Sequence, residues 1–245
     1  MYGAIRDRPD RRDFIYTPAK IKSLPAHVDL SARCPPVYNQ RTLNSCSANA
    51  LAAAVWMAER QSGRKPSAVS RLFIYYNERA REGTIGSNDP VPLRDGFKSL
   101  AKQGVCAESI WPYRVSCFSE RPPGPCYRAA LKRRARSYQR IRQKIAHLKY
   151  CLADGHPFVM GVAVYKGQGL ESSAARRTGR VGMPSGRRDL VGGHAVLAVG
   201  YSDRRQSFLV RNSWGRGWGL RGYFWLPYRY VSNPTLAWDF WTLRV

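Results

Sequence analysis

Gln40-Arg41-Thr42-Leu43-Asn44-Ser45-Cys46 runs straight into Ser47-Ala48-Asn49-Ala50-Leu51-Ala52-Ala53-Ala54-Val55-Trp56-Met57-Ala58-Glu59-Arg60. Ala48, Leu51, Val55 and Ala58 fall three or four residues apart among good helix formers, which predicts a helix with one apolar face. Gln61-Ser62-Gly63 supplies the stop. Cys46 then sits at the first turn, where the helix dipole and unpaired amide hydrogens favour a thiolate. A cysteine on an alanine-rich helix is otherwise a small buried hydrophobe, so more distant residues must decide between the two.

Two further stretches supply that context. His194 lies 148 residues after Cys46, in Gly192-Gly193-His194-Ala195-Val196, and Asn212 lies 18 further on, in Val210-Arg211-Asn212-Ser213-Trp214-Gly215. A thiol, an imidazole and an amide in that order are what nucleophilic acyl transfer by a thiolate–imidazolium pair requires, with the amide orienting the ring. A nearby imidazolium would lower the thiol pKa. Residues so far apart in sequence must be joined by the fold, as is usual for a catalytic cysteine. His27, His147 and His156 have no such company and read as structural or surface residues.

The ordered set resembles the papain-like cysteine peptidases. Gln40, six residues before Cys46, has the spacing of the family's oxyanion-hole glutamine. Val199-Gly200-Tyr201 after His194, and Gly217-Trp218-Gly219 with Gly222-Tyr223 after Asn212, match its histidine and asparagine segments. Leu24-Pro25 and Val28-Asp29-Leu30 resemble a mature N-terminus, so the anchors span residues 24 to 223. Leu43-Asn44-Ser45-Cys46-Ser47 stands where plant and lysosomal members have Cys-Gly-Ser-Cys-Trp, which removes one disulfide and looks more like short bacterial or archaeal members.

The resemblance implies a catalytic set of Cys46, His194, Asn212 and Gln40 with no metal and no organic cofactor. It implies that Trp214 covers the His–Asn hydrogen bond, and that Gly86 and Ser87 line the cleft beside an extended peptide. Gly193, just before His194, suggests an open subsite. Two other readings stay open: a Cys–His amidase or transferase, and a non-catalytic binding protein that holds anionic partners on a basic surface.

The chain has 245 residues, 44% hydrophobic and 12% aromatic, enough for a sizeable core and too apolar for whole-chain disorder. No apolar run approaches the length of a membrane span. Charges in the first thirteen residues occupy the place of a signal peptide's apolar core, so a cytoplasmic location is expected, with export by a non-standard route left open. Thiols are then expected to be reduced, although Cys117 and Cys126 flank Pro122-Pro123-Gly124-Pro125 at a spacing open to a small loop disulfide. Forty-one Lys and Arg against 16 Asp and Glu give a net charge of +25. The excess is concentrated at 128–144 and 166–188, runs that would attract a non-specific anionic partner. Tyr138 is the main aromatic within them, so base stacking is poorly supported.

The pattern predicts an α+β, two-lobed, papain-like fold with the active-site cleft between the lobes. Residues 1–23 read as an N-terminal arm or short pro-segment, able to lie along the cleft as a strap or to pack as a structural element. Residues 24–130 read as a mainly helical lobe with the nucleophile helix, and residues 131–245 as a β-rich lobe carrying His194 and Asn212. Apolar runs at 158–164, 194–199, 207–211 and 222–226 predict strands, and 165–192 reads as a long loop.

Overall fold

The structure, a computed structural model, describes residues 2–18, 23–186 and 189–245. Its centre is the predicted helix, α1 (Cys46–Gln61). Burial goes beyond the expected single face: from Cys46 to Glu59 only Trp56 escapes full burial. The reason is position. Helices α2 (Arg71–Glu82) and α3 (Leu93–Lys102) pack on one side of α1, and the sheet packs on the other. Alanine supplies the thin side chains that let both sides approach.

The sheet carries the second lobe. Strands β4 (Ser137–Arg140), β5 (Phe158–Tyr165), β6 (Leu190–Ser202), β7 (Ser207–Arg211), β8 (Tyr223–Pro227) and β9 (Ala237–Arg244) follow the antiparallel order β4-β9-β5-β6-β7-β8. Strand β2 (His27–Asp29) also joins this sheet, pairing its Val28 with Tyr201 of β6. The segment just after residue 24 thus packs with the strands, although it precedes the helices in sequence. Strand β5 is almost wholly buried, consistent with its continuous apolar run. Helices α4 (Gly124–Ala130), α5 (Ile145–Ala153) and α7 (Tyr228–Ser232) cover the periphery.

The stretch read as a long loop is partly ordered. Gly169–Glu171 forms a 3-10 turn and Ser173–Thr178 forms α6. The Ser172 hydroxyl caps α6 by accepting from the Ala175 amide at 3.1 Å. Arg187 and Arg188 of the second basic run lie outside the described residues, as do residues 1 and 19–22 of the arm.

Residues 2–18 run across both lobes. Strand β1 (Ala4–Ile5) pairs in parallel with β3 (Val91–Pro92), which leads into α3. Farther on, the Arg140 amide of β4 donates to Phe14 at 2.7 Å, and the Tyr16 amide donates back to Arg140 at 2.8 Å. Between these pairings Asp7 and Asp13 are buried among Arg94, Arg140, Asp239 and Trp241. Arg94 donates to both oxygens of Asp13 at 3.0 and 2.7 Å, and Arg140 reaches Asp13 at 3.1 Å and also pairs with Asp239.

Part of the first basic run is consumed in the interior. Arg133 forks onto Glu59 of α1 at 2.8 and 2.7 Å, and Arg140 joins the carboxylate cluster. Arg128, Lys132, Arg134, Arg136, Arg142 and Lys144 of that run stay exposed. All six cysteines, Cys117 and Cys126 included, are free thiols. Among the described residues no helix is long and apolar enough to cross a membrane.

Candidate active site

Cys46 opens α1 and is fully buried, with Sγ receiving the Ala195 amide at 3.2 Å. One hydrogen bond therefore ties the nucleophile turn to the residue after His194, across the junction of the lobes. Ser45 anchors the turn: its hydroxyl meets the Tyr113 hydroxyl at 2.6 Å, and the Asn49 side chain donates to its carbonyl at 2.8 Å.

His194 sits in β6 and Asn212 just past β7, neighbouring strands whose pairing places Leu197 opposite Arg211. The imidazole Nε2 lies 2.7 Å from Asn212 Oδ1. That oxygen also accepts the Ser213 amide at 2.8 Å, which fixes the orientation of the side-chain amide and makes Nε2 the donor. Nδ1 is buried without a hydrogen-bond partner among the described residues. Trp214 stacks on the imidazole at a centroid distance of 4.6 Å and is itself braced edge-on by Trp218 at 5.1 Å.

Gln40 is delivered by the loop before α1 and is buried. Its Oε1 accepts from the Ser213 hydroxyl at 2.7 Å, and its Nε2 donates to Leu43 at 2.9 Å. The loop is secured from the β lobe by Arg211, whose guanidinium donates to the carbonyls of Pro35 and Pro36. Tyr113 adds a bond to the Gln40 carbonyl at 2.8 Å. Cys46, His194, Asn212 and Gln40 are thus brought together.

The cleft above them is occupied by the chain's own arm. The Gly3 amide lies at Cys46 Sγ, where it favours the charged form of the thiol, and the Gly3 carbonyl accepts from the Val91 amide at 3.0 Å. Tyr2 places its ring 6.5 Å from His194 and 6.3 Å from Trp214, both edge-on. Its hydroxyl donates to Glu171. Arg6 lies 4.5 Å over the Trp238 ring.

This cover reverses the electrostatics expected for an exposed thiol at a helix N-terminus. Burial pushes the Cys46 thiol up to about 11, with the Ala195 and Gly3 amides opposing the shift. Burial likewise lowers His194 to about 4, against the favourable bond to Asn212. Beneath the arm both groups are therefore neutral, because each has lost the water that would stabilise its charge.

Of the residues expected to line the cleft, Trp214 and Gly193 meet the arm. A Cβ on Gly193 would stand 2.1 Å from the Ala4 carbonyl oxygen and 2.8 Å from the Trp238 ring, so the space that this glycine opens is filled by arm and indole. Gly86 and Ser87 are exposed, and Gly86 has open space around it; the segment that meets the extended chain is Val91–Pro92. Sequence reasoning also missed Glu78, a fully buried carboxyl on α2 that accepts from the Ser47 hydroxyl at 2.8 Å, one residue after Cys46. Its other oxygen is unpartnered, and burial raises it to about 8. No sequence signal marked it, because Glu78 follows the apolar run 72–76 and is flanked by polar Asn77 and Arg79.

Comparison with known proteins identifies the family and the fold. The family profile described as papain family cysteine protease matches residues 24–234. The uncharacterized peptidase C1-like protein L477 of Acanthamoeba polyphaga mimivirus is 37% identical, over 99% of this chain and 86% of that protein. Xylellain, a cysteine protease from Xylella fastidiosa, superposes with a TM-score of 0.93 at 44% identity, covering 100% of this chain and 96% of that one. Procathepsin L 3 from the Tenebrio molitor larval midgut shares the fold at 19% identity, with a TM-score of 0.71 over 98% of this chain and 76% of that chain. The profile match and the full-length likeness to a bacterial enzyme place the chain in the papain family of cysteine proteases.

Proposed function

We propose that this cysteine peptidase hydrolyses peptide bonds through Cys46 and His194, oriented by Asn212, and that its N-terminal arm holds it latent. The observation that carries the reading is the convergence of three distant segments: His194 Nε2 on Asn212 Oδ1 at 2.7 Å, with the neighbouring Ala195 amide on Cys46 Sγ at 3.2 Å. With the arm displaced, water re-enters and the thiol passes its proton to His194 Nδ1, giving a thiolate at the positive end of α1. The thiolate adds to the substrate carbonyl. The Gln40 side-chain amide and the Cys46 backbone amide receive the developing oxyanion. His194 then protonates the leaving amine, and water, activated by the same imidazole, hydrolyses the thioester.

The arm's direction supports latency. The leaving amine must lie beside His194, so a substrate runs from the β3 side, where its acyl half sits, toward Trp214. The arm runs the other way, with Tyr2 beside Trp214 and Ala4–Ile5 along β3. It presents the Gly3 amide hydrogen, rather than a carbonyl carbon, to the sulfur.

Hydrolysis of a quenched fluorescent peptide by Gly3→Ala protein, in which a Cβ would stand 1.7 Å from the Asn44 carbonyl oxygen and unseat the arm, and by the same protein also carrying Cys46→Ala or His194→Ala, tests the chemistry. Loss of turnover in both variants is expected; turnover that survives Cys46→Ala would refute the assignment.

A further inference from the structure

The arm places a side chain in a pocket on the leaving-group side of the cleft, and the pocket carries a charge that the reaction does not use. Tyr2 immediately precedes the residue on the nucleophile. Its ring lies beside the imidazole and the Trp214 indole, and a Cβ on Gly192 would come within 2.9 Å of the Tyr2 Cβ. The far end of the pocket is Glu171, which accepts the phenol hydroxyl.

Glu171 is held rather than free to swing away. It closes the 3-10 turn Gly169–Glu171, and its second carboxylate oxygen accepts the Gly167 amide at 3.2 Å. Its carbonyl accepts from Arg176 Nε at 3.2 Å, fixing the turn to α6. Most buried carboxylates near the arm are matched by guanidinium groups, as at Asp13 and Asp239. Glu171 has no such ion pair among the described residues, in a chain with 41 Lys and Arg against 16 Asp and Glu.

Resting on the peptidase reading above, we propose that Glu171 is a specificity-determining residue. It selects substrates whose residue directly after the scissile bond bears a long side chain ending in a hydrogen-bond donor: lysine, arginine or tyrosine. The stem of such a side chain takes the place of the Tyr2 ring beside Trp214, and its tip replaces the Tyr2 hydroxyl at the carboxylate. A carboxylate-bearing residue at that position meets a fixed like charge and is rejected. A glycine leaves the pocket unfilled.

The test uses full-length protein carrying Gly3→Ala, which cannot seat the arm over the nucleophile. Peptides identical except for lysine, tyrosine, glycine or aspartate after the scissile bond are compared by kcat/KM within one enzyme, so any loss of folded protein cancels. Lysine is expected to exceed glycine by roughly ten- to hundredfold, the range of a charge-assisted hydrogen bond, with aspartate the poorest. Glu171→Gln is expected to collapse the lysine-to-glycine ratio toward unity. Glu171→Lys is expected to raise aspartate above lysine, and Glu171→Asp to restore part of the original order. Turnover with equal rates across the four peptides, or a lysine preference untouched by Glu171→Gln, overturns the proposal while leaving the peptidase reading intact. No turnover of any peptide overturns the peptidase reading itself.

Discussion

Gly3 lies so close to Asn44 that a Cβ added to Gly3 would stand 1.7 Å from the Asn44 carbonyl oxygen. No side chain fits at the point where the arm crosses the nucleophile turn, and the obstacle is backbone that cannot rotate aside. Gly3→Ala is therefore expected to unseat residues 2–8 without touching the catalytic groups. Hydrogen exchange of those amides measures it: the variant should lose their protection while α1 and β6 keep theirs. Unchanged protection of the arm would show that the crossing tolerates a methyl group.

Gln40 is predicted to act on the oxyanion rather than on the thiol. In comparable sites, removal of one donor lowers kcat by about 10²–10³. Gln40→Ala should show that loss in peptide turnover, whereas alkylation of Cys46 by iodoacetamide, which generates no oxyanion, should slow far less. Equal losses in both assays would instead mean that the Gln40–Ser213 bond acts only as a brace.

The pH dependence of arm docking between pH 6.5 and 4 rests on buried carboxyls. Asp7 donates its amide to Asp239 at 2.6 Å, and both carboxyls are raised, chiefly by burial; Asp239 reaches about 6. Arg94 and Arg140 face the pair and oppose the shift, and Asp13 shares both guanidiniums. Raised carboxyls favour docking in acid: their contribution is complete below the ordinary carboxylate value and is lost as pH rises through about 6. The Cys46–His194 pair does not offset this, because it holds one proton in both states: as thiolate and imidazolium when the arm is displaced, as thiol and imidazole beneath it. Asp239→Asn removes one of the raised carboxyls. Protection of residues 2–8, corrected for intrinsic exchange, should rise less in Asp239→Asn than in the parent as pH falls from 6.5 to 4. Parallel pH profiles would refute this coupling.

Glu78 makes a separate prediction for the fold. Its carboxyl is raised by burial to about 8, so its contribution to stability is present below its ordinary value of 4.5 and is lost as pH rises through 8. Glu78→Gln keeps an acceptor for Ser47 and cannot ionise. Its melting temperature relative to the parent should climb between pH 4.5 and 8 and then level, at roughly 2–4 °C per kcal/mol for a chain of this size. A difference independent of pH would place the charge of Glu78 elsewhere.

How far the chain could be read from sequence follows the range of the interactions. The α1 register and the strands at β5, β6, β7 and β8 were legible because each is a local pattern of apolar residues between turn residues. The segments that converge at the candidate site, those of Gln40, Cys46, His194 and Asn212, stood out because each carries a motif of its own. The short α6 was hidden in a Gly-, Ser- and Arg-rich stretch, where one Ser172 cap is a weak signal. The raised thiol of Cys46 could not be foreseen from the α1 dipole, because it arises from complete burial by residues distant in sequence. The filling of the Gly193 space by Trp238 likewise depends on two strands distant in sequence.

The central claim is that Cys46 is a peptidase nucleophile kept from substrate by the arm. It is tested most directly by mass spectrometry of the time course of labelling with an epoxysuccinyl peptide, in parent, Gly3→Ala and Cys46→Ala proteins at one pH. The account predicts a single adduct on Cys46, formed at least tenfold faster in Gly3→Ala than in the parent, and none in Cys46→Ala. Labelling of another cysteine, or equal rates in parent and Gly3→Ala, would contradict it.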